Sequence, residues 1–274
     1  MPSAKLAFGM LALGLLCATH LASAQDACTV CTCSSKKLYS CQSSLTQVPI
    51  NIPANTIDID LSGTAITSFT AASFFNLSSL TSISISGGQG LTSIASDAFQ
   101  NLTQLRTMLL WLDGRVNLDS SNAPISTLQL YYSTPVVLSA NTFTNFNSLT
   151  YLSLRDASSM EDHALAGLPS LFELVLTGSL TSVAAAVQGV SPLEDVSSSL
   201  QMLTIAESNV ASISDVGFNS LTKLKQLVIQ TSRITSISSN AFAALTSLTS
   251  LTLNSNPITS IHADAFAGIT RLQA

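Results

Sequence analysis

The sequence predicts an α/β-type solenoid, a stack of short coils with a parallel sheet along one side. A phenylalanine recurs in a unit of about 24 residues, at Phe74, Phe99, Phe143, Phe218, Phe242 and Phe266. Each unit begins with a leucine-like residue, and apolar residues follow three and five places later. A period in this range is typical of solenoids, in which no single unit can bury its apolar side alone.

Each unit is predicted to begin with a strand. The starts lie at Thr56, Leu80, Leu105, Ile125, Leu149, Leu171, Leu200, Leu224, Leu248 and Leu272. Apolar and polar residues then alternate, as around Leu251 and Leu253, and this period of two predicts a short strand with one buried face. Successive strands are expected to pair in parallel about 4.8 Å apart. The rest of each unit would return along the opposite, convex side.

The composition excludes some partners. The chain has 274 residues, of which 46% are hydrophobic and only 9% are charged, and its formal net charge is −5. No basic block occurs beyond Lys36 and Lys37. An acidic chain without a basic stripe is a poor candidate for binding phosphate backbones or anionic lipids. We therefore predict no nucleic-acid partner.

Residues 1–24 predict a secretory signal peptide. Lys5 supplies the positive start, residues 6–16 form an apolar run, and Ala22 and Ala24 flank a small-residue cleavage site. The alternative is a membrane anchor, but about 12 apolar residues are fewer than the roughly 20 that a bilayer requires. Ser, Thr or Asn interrupts every later apolar stretch, so we predict no membrane span within this chain. The predicted location is secreted or on the extracellular face of the plasma membrane.

The cysteines also favour export. Of five cysteines, Cys17 lies in the predicted signal peptide, and Cys28, Cys31, Cys33 and Cys41 crowd into a short segment. An even, clustered set in an exported chain predicts disulfides. A zinc site is the rival interpretation, but it would need a second ligand pair at a matching distance, and no histidine lies near. We predict two disulfides, no metal and no cofactor.

These features resemble the extracellular leucine-rich repeat family, in the 24-residue form of Slit-like, Toll-like and lamprey variable lymphocyte receptor ectodomains. The repeat pattern runs from about Thr56 onward, and the cysteine spacing is similar to that of the family's N-terminal cap. The resemblance implies a horseshoe with a parallel concave sheet and an irregular or short helical convex side. It also implies pairing of Cys28 with Cys33 and of Cys31 with Cys41. The expected domains are a signal peptide at 1–24, a disulfide cap at 25–55 and about nine repeats at 56–274.

The chain departs from the family pattern in three ways. The family usually has Asn at the ninth position of the unit, but here only Asn256 fits, so we expect a looser ladder with hydroxyls elsewhere. The units that begin at Leu105, Leu149 and Leu171 lack the phenylalanine. No cysteine cap follows, and the chain stops just after Leu272. The expectation is a truncated product or a fragment.

Catalysis finds little support in the sequence. After signal cleavage only His163 and His262 remain, far apart, and no nucleophile elbow, phosphate-binding loop or metalloprotease motif occurs. The segment Gly87-Gly88-Gln89-Gly90 follows a strand but precedes no helix, so we interpret it as an insertion that needs a flexible backbone. We predict that the protein is not an enzyme.

Two acidic groups leave alternatives open. Asp156, Glu161 and Asp162 lie near His163, where either a metal site or a solvated loop fits the composition. Asp58 and Asp60 face the same side of the first strand. They could support acid–base chemistry or simply lie at the exposed end of the ladder.

The concave face carries the strongest functional signal. The only Trp and three of the four Tyr, including Tyr132, fall within three neighbouring strands. The predicted ligand-binding residues are Trp111, Tyr131, Tyr151, Arg155 and Glu173. Trp, Tyr and Arg dominate protein-binding hot spots. The alternative is that the irregular units recruited aromatics to fill gaps, or that Tyr is present as a good strand former.

Two further patterns lie on the return side. Thr-Ser pairs recur at Thr67, Thr92, Thr235 and Thr259, and such a hydroxyl array could bind ice or polysaccharide or be ordinary solvent-facing filler. Asn76-Leu-Ser and Asn101-Leu-Thr are predicted glycosylation acceptors.

The sequence thus predicts a secreted or cell-surface protein that recognises a protein or glycan partner through its concave face, as a receptor ectodomain does. The alternative is a structural wall, adhesion or ice- or polysaccharide-binding solenoid that uses its Ser/Thr ladders.

Overall fold

The computed structural model describes residues 25–118, 123–183 and 191–273. The predicted signal peptide at 1–24 lies outside these residues. In chain order the strands are β1 (Thr32–Ser34), β2 (Lys37–Tyr39), β3 (Asp58–Asp60), β4 (Ser68–Phe69), β5 (Ser82–Ile85), β6 (Ser93–Ile94), β7 (Thr107–Leu112), β8 (Thr127–Leu138), β9 (Tyr151–Met160), β10 (Glu173–Thr177), β11 (Met202–Ala206), β12 (Gln226–Gln230), β13 (Ser236–Ile237), β14 (Ser250–Thr252) and β15 (Ser260–Ile261).

One sheet of 11 strands runs along the described residues, in the order β1-β2-β3-β5-β7-β8-β9-β10-β11-β12-β14. All its pairings are parallel except the β1–β2 hairpin. The period-two alternation decides which face is buried: Leu152 and Leu154 are fully buried, while the alternating Tyr151 and Ser153 are half-buried on the opposite face. The predicted solenoid with a parallel sheet is confirmed.

The recurrent phenylalanines fill the core between coils. Phe74 stacks on Phe99 with ring centroids 6.1 Å apart, and Phe242 stacks on Phe266 at 5.9 Å. Five of the six are buried, but Phe266 is 42% exposed, because no coil beyond it packs on it within the described residues. Burying such a side chain contributes about 1.5–3 kcal/mol.

Leucine replaces phenylalanine in two of the irregular units. Leu165 and Leu193 are fully buried at this level of the core. This substitution was not predicted from the sequence. An alignment of Ala164-Leu165-Ala166-Gly167-Leu168 with Ala98-Phe99-Gln100-Asn101-Leu102 would have found the first of them.

A disulfide-bonded cap covers the first coil. Helix α1 (Ala27–Val30) leads into the β1–β2 hairpin, and β2 pairs in parallel with β3. The disulfides join Cys28 to Cys33 and Cys31 to Cys41, the pairing that the resemblance implies. The cap thus occupies the edge of β3 that would otherwise expose unpaired backbone groups.

The convex side is irregular. It consists of turns with short 3-10 helices at Pro192–Val196, Ile213–Asp215 and Phe218–Ser220. On the return path β4 pairs with β6 and β13 with β15, so two small parallel sheets form there. Within the described ranges, no helix is long and apolar enough to cross a membrane.

Threonines join successive coils at two corners of the solenoid. At the corner before the main strands, Thr81, Thr150 and Thr249 each donate both the backbone N–H and the hydroxyl to one carbonyl of the preceding coil. On the return side, Thr92 and Thr259 do the same, with hydroxyl distances of 3.1 and 3.2 Å. Three threonines of the predicted Thr-Ser ladder, Thr92, Thr235 and Thr259, are exposed. The hydroxyl hydrogens of Thr92 and Thr259 are engaged in joining coils.

The ninth position is held by varied side chains. The Nδ2 atom of Asn256 lies 2.8 Å from the Ile229 carbonyl and 2.9 Å from the Leu253 carbonyl, and it donates to both. In the two preceding units, the hydroxyls of Ser208 and Ser232 hydrogen-bond each other at 2.8 Å. Side-chain hydroxyls thus replace part of the amide ladder.

Candidate recognition surface

The candidate site lies on the concave face of β7 to β11. Strand pairing places Trp111 opposite Tyr131 and Tyr131 opposite Arg155, so these three side chains form one row across neighbouring strands. We call them the central row. Tyr151 and Glu173 are paired with each other in a second row, four residues earlier along the strands. The structure therefore brings the five predicted residues onto one surface.

The aromatic members of the central row are stacked. The rings of Trp111 and Tyr131 lie nearly parallel, with an interplanar angle of 5° and centroids 6.2 Å apart. Both side chains are half-buried, so each keeps an accessible part. The Tyr131 hydroxyl donates a long hydrogen bond of 3.4 Å to Gln129 Oε1. Offset aromatic pairs of this kind are worth about 0.5–1.5 kcal/mol beyond burial, and here they form a rigid apolar platform.

Arg155 extends the central row with a positive charge. Its guanidinium lies 3.8 Å from Asp156 on one side and 3.8 Å from Glu207 on the other. The Arg155 side chain is 50% exposed. Exposed ion pairs at such distances contribute little to stability, so the Arg155 side chain is held only loosely.

Tyr151 is a neutral phenol in the second row. Partial burial raises the pKa of Tyr151 above its usual value, and the nearby charges of Glu173 and Tyr131 raise it further, while a hydrogen bond with Ser153 opposes them. The Tyr151 hydroxyl therefore keeps its proton at physiological pH and can both donate and accept a hydrogen bond.

Tyr132 does not belong to this surface. It follows Tyr131 directly, so the strand alternation turns its side chain into the core, where it is 5% exposed. Burial raises the pKa of Tyr132 above the usual range. Tyr132 thus lies within the three neighbouring strands, as predicted, but on the opposite face from the predicted binding residues.

The acidic cluster near His163 is dispersed. The Asp156 carboxylate accepts hydrogen bonds from Ser179, and Glu161 lies 4.0 Å from Arg115. His163 Nδ1 instead contacts Asp195 Oδ1 at 3.0 Å. Within the part of the chain that the structure describes, no three His, Cys, Asp or Glu side chains form a group that could hold a metal ion.

Asp58 and Asp60 have separate partners. Asp58 forms an ion pair of 3.0 Å with Lys37 of the cap. Partial burial alone would raise the pKa of Asp60, but hydrogen bonds from Ser62 and Ser84 outweigh it and lower that pKa. Asp58 thus joins the first coil to the cap, and Asp60 joins the first coil to the second.

The glycine segment permits close contact between coils. A Cβ atom on Gly88 would collide with the Thr64 carbonyl oxygen, and one on Gly90 would lie 2.6 Å from the Asp113 nitrogen. Gly87 has a positive φ of 65°. The segment is therefore a structural insertion that requires glycine.

The predicted glycosylation acceptors lie in tight turns on the convex side. Asn76 and Asn101 are exposed and have φ values of 63° and 69°. Gly167 and Gly268 occupy the same turn in other units, also with positive φ. Asn tolerates this left-handed conformation better than most residues, so the turn alone gives a structural reason for these asparagines.

Two repeat models match the chain. The leucine-rich repeat model matches residues 198–258 and 222–274. A model of the BspA-type leucine-rich repeat region, in 6 copies, matches residues 29–113. Together with the stacked parallel strands and the N-terminal disulfides, these matches define the class. The chain belongs to the leucine-rich repeat family. Among curated proteins, none matches it.

Solved structures share this fold. A chain of the TLR13–ssRNA13 complex superposes with a TM-score of 0.53 and 21% identity, covering 79% of this chain and 27% of that chain. Human 5T4 (Wnt-activated inhibitory factor 1, trophoblast glycoprotein) gives 0.52 and 19%, covering 84% and 81%. The octameric complex of Latrophilin 3, Unc5D and FLRT2, in which FLRT2 supplies the leucine-rich repeats, gives 0.58 and 20%, covering 89% and 81%. This chain spans about a quarter of the TLR13 chain. Identities this low show only that the fold is shared.

Proposed function

We propose that this protein is exported and recognises a protein or glycan partner through the concave face, with Trp111, Tyr131, Tyr151, Arg155 and Glu173 as its contact residues. The observation that carries the proposal is the stacked Trp111–Tyr131 pair, in register with Arg155 on the concave sheet. Trp111 and Tyr131 lie on the concave face, opposite the buried core, so core packing does not explain them. They supply the large contact area typical of binding hot spots.

The scaffold favours tight association. Strand pairing on both sides fixes the backbone of β8 and β9 before any partner arrives. Trp and Tyr also have few rotatable bonds. Little conformational entropy is therefore lost at the site on binding, and more of the contact free energy appears as affinity.

Export is supported by the two disulfides of the cap, since such bonds persist in oxidising compartments. The signal peptide predicted at residues 1–24 agrees with this location. The protein would act outside the cell, secreted or at the cell surface, as a binding protein without catalysis.

We also propose glycans on Asn76 and Asn101. Both asparagines lie on the convex side, so attached sugars would leave the concave face open. A loss of mass after enzymatic removal of N-linked sugars from protein exported by eukaryotic cells supports this proposal, and an unchanged mass contradicts it.

The structural alternative, in which the Ser/Thr ladders bind ice or polysaccharide, has weaker support. The hydroxyl hydrogens of Thr92 and Thr259 are donated to carbonyls of the preceding coil. The ladder therefore has fewer free donors to offer a polysaccharide than its sequence suggests.

The proposed function is tested with an unbiased library of displayed peptides of about 10 residues, which extend to about 33 Å. Peptides are selected on the full exported chain, and their affinities are compared with those for Trp111→Ala and Tyr131→Ala. We expect a loss of about tenfold or more for each variant. Gln230→Ala, which lies in the same row of the sheet on β12, is the matched control and should bind as the wild type does.

Thermal unfolding of each variant confirms that it is folded before its affinity is interpreted. Selected peptides that bind wild type, Trp111→Ala and Tyr131→Ala equally well would overturn the concave site.

A further inference from the structure

The concave site carries charge as well as aromatic surface. Among the described residues, three carboxylates lie beside the central row, those of Asp113, Asp156 and Glu207, and a fourth, that of Glu173, lies in the second row. The cation among them is Arg155. Four carboxylates against one guanidinium leave a net charge of −3 over the two rows of the concave site. The whole chain carries only −5, so the site holds a large share of its excess negative charge.

These carboxylates are accessible to a partner. The Glu207 side chain is 61% exposed, and that of Asp156 is 33% exposed. Asp113 is exposed and accepts one hydrogen bond of 2.6 Å from Ser133, and Glu173 is half-buried. An ionised carboxylate has about four acceptor positions, so each of these groups can accept further bonds.

Arg155 neutralises the site only in part. Its distances of 3.8 Å to both Asp156 and Glu207 are longer than those of charge-assisted hydrogen bonds, which measure about 2.7–2.9 Å. A cationic side chain from a partner could therefore approach either carboxylate without breaking a tight pair. Arg115, which follows β7, is directed to Ser139 and Glu161 instead.

We propose that the partner of the concave site is a basic polypeptide segment, with an apolar side chain packed on Trp111 and Tyr131 and flanking Lys or Arg side chains on Asp113, Asp156, Glu173 and Glu207. This inference rests on the proposed function of the same surface and adds the chemistry of the partner. Charge complementarity selects the occupant: the negative site attracts a cationic segment and raises its association rate. It repels phosphate backbones and acidic segments.

The same peptide selection tests the inference. Peptides that depend on Trp111 should be enriched in Lys and Arg around an apolar residue, relative to the starting library. Their affinity should fall as salt rises, because surface charge pairs are screened. Glu173→Gln and Glu207→Gln should each weaken binding of one selected basic peptide by about two- to fivefold.

Two variants separate charge at the site from charge elsewhere. Asp97→Asn removes the same charge from the return side of its coil and should leave affinity unchanged. Arg155→Gln removes the positive charge that a cationic partner meets beside Asp156 and Glu207, so it should tighten binding of a basic peptide. An acidic peptide would instead lose affinity.

The outcomes distinguish the two proposals. The basic partner is overturned, but the concave site is not, if the peptides whose binding depends on Trp111 are neutral or acidic. The same holds if their affinity is unchanged by Glu173→Gln and Glu207→Gln. Peptides that bind without regard to Trp111 overturn the concave site, and the basic partner with it.

Discussion

At the scale of single residues, the parity of a position within its strand decides its role. Tyr131 and Tyr132 are adjacent and identical in chemistry, yet one stacks on Trp111 at the surface and the other is 5% exposed in the core. Residues two apart share a face of a strand and neighbours do not. In a repeat sheet, a binding surface is therefore predicted from residues at equivalent positions of neighbouring strands. The number of aromatic residues in a stretch of sequence does not show which face they occupy.

His163 illustrates a residue whose contribution depends on pH. Its Nδ1 lies 3.0 Å from Asp195 Oδ1, and this hydrogen bond, with the charge of Asp195, raises the pKa of His163. Asp162 and Glu194 add to the rise, while desolvation opposes it. A raised folded pKa means that the protonated pair stabilises the fold at low pH, and this contribution is lost as pH rises through that pKa.

We therefore expect His163→Asn to lower the free energy of unfolding more at about pH 5.5 than at about pH 8.5. Asn is chosen because His163 has a φ of 59°, which Asn tolerates. Denaturant unfolding at the two pH values measures the difference. His262→Asn is the control. His262 Nδ1 lies 3.7 Å from the carboxylate of Asp264, farther than His163 lies from Asp195, so its loss should depend less on pH. An equal loss at both pH values for His163→Asn would contradict the role of the pair.

At the scale of elements, threonine corners and strand pairing hold neighbouring coils together. Thr150 donates its N–H at 2.9 Å and its hydroxyl at 3.1 Å to the same carbonyl of Ser126, one coil earlier. The β-branched shape of Thr suits the extended backbone at this corner, and its hydroxyl supplies the second bond. In a chain with few charges, such hydroxyl bonds replace surface ion pairs between coils.

Thr150→Val keeps the side-chain shape and removes this hydroxyl bond. We expect a loss of about 0.5–1.5 kcal/mol in the free energy of unfolding. Thr246→Val is the matched control, because Thr246 is exposed and its hydroxyl has no hydrogen bond to any other described residue. Denaturant unfolding of both variants makes the comparison. If Thr150→Val were no less stable than Thr246→Val, the corner bond would contribute nothing.

At the scale of the whole molecule, the sequence predicted the stacked coils well, because the period of the leucines and phenylalanines directly encodes burial. The rows of the concave face followed from the same period, so Trp111, Tyr131 and Arg155 could be placed together before the structure. The ion pair between Arg155 and Glu207 could not be predicted. It depends on Glu207, directly after β11, where a φ of 52° turns the backbone, and no local pattern signals that turn.

The site also depends on the stack as a whole. Neither Trp111 nor Arg155 would hold its place without the coils on either side, since each strand of a solenoid is positioned by its neighbours. The net charge around the central row arises in the same way, from residues far apart in sequence. The recognition surface is thus a property of the assembled solenoid and not of any one repeat.

The central claim is that partners dock on the central row, and fluorescence of the single tryptophan tests it most directly. Trp111 is the only Trp in the chain and is half-buried on the concave face. Quenching by acrylamide is measured with and without a saturating selected peptide. The account predicts that the peptide reduces quenching of Trp111, because it covers the ring. Quenching that stays the same with the peptide bound would contradict it.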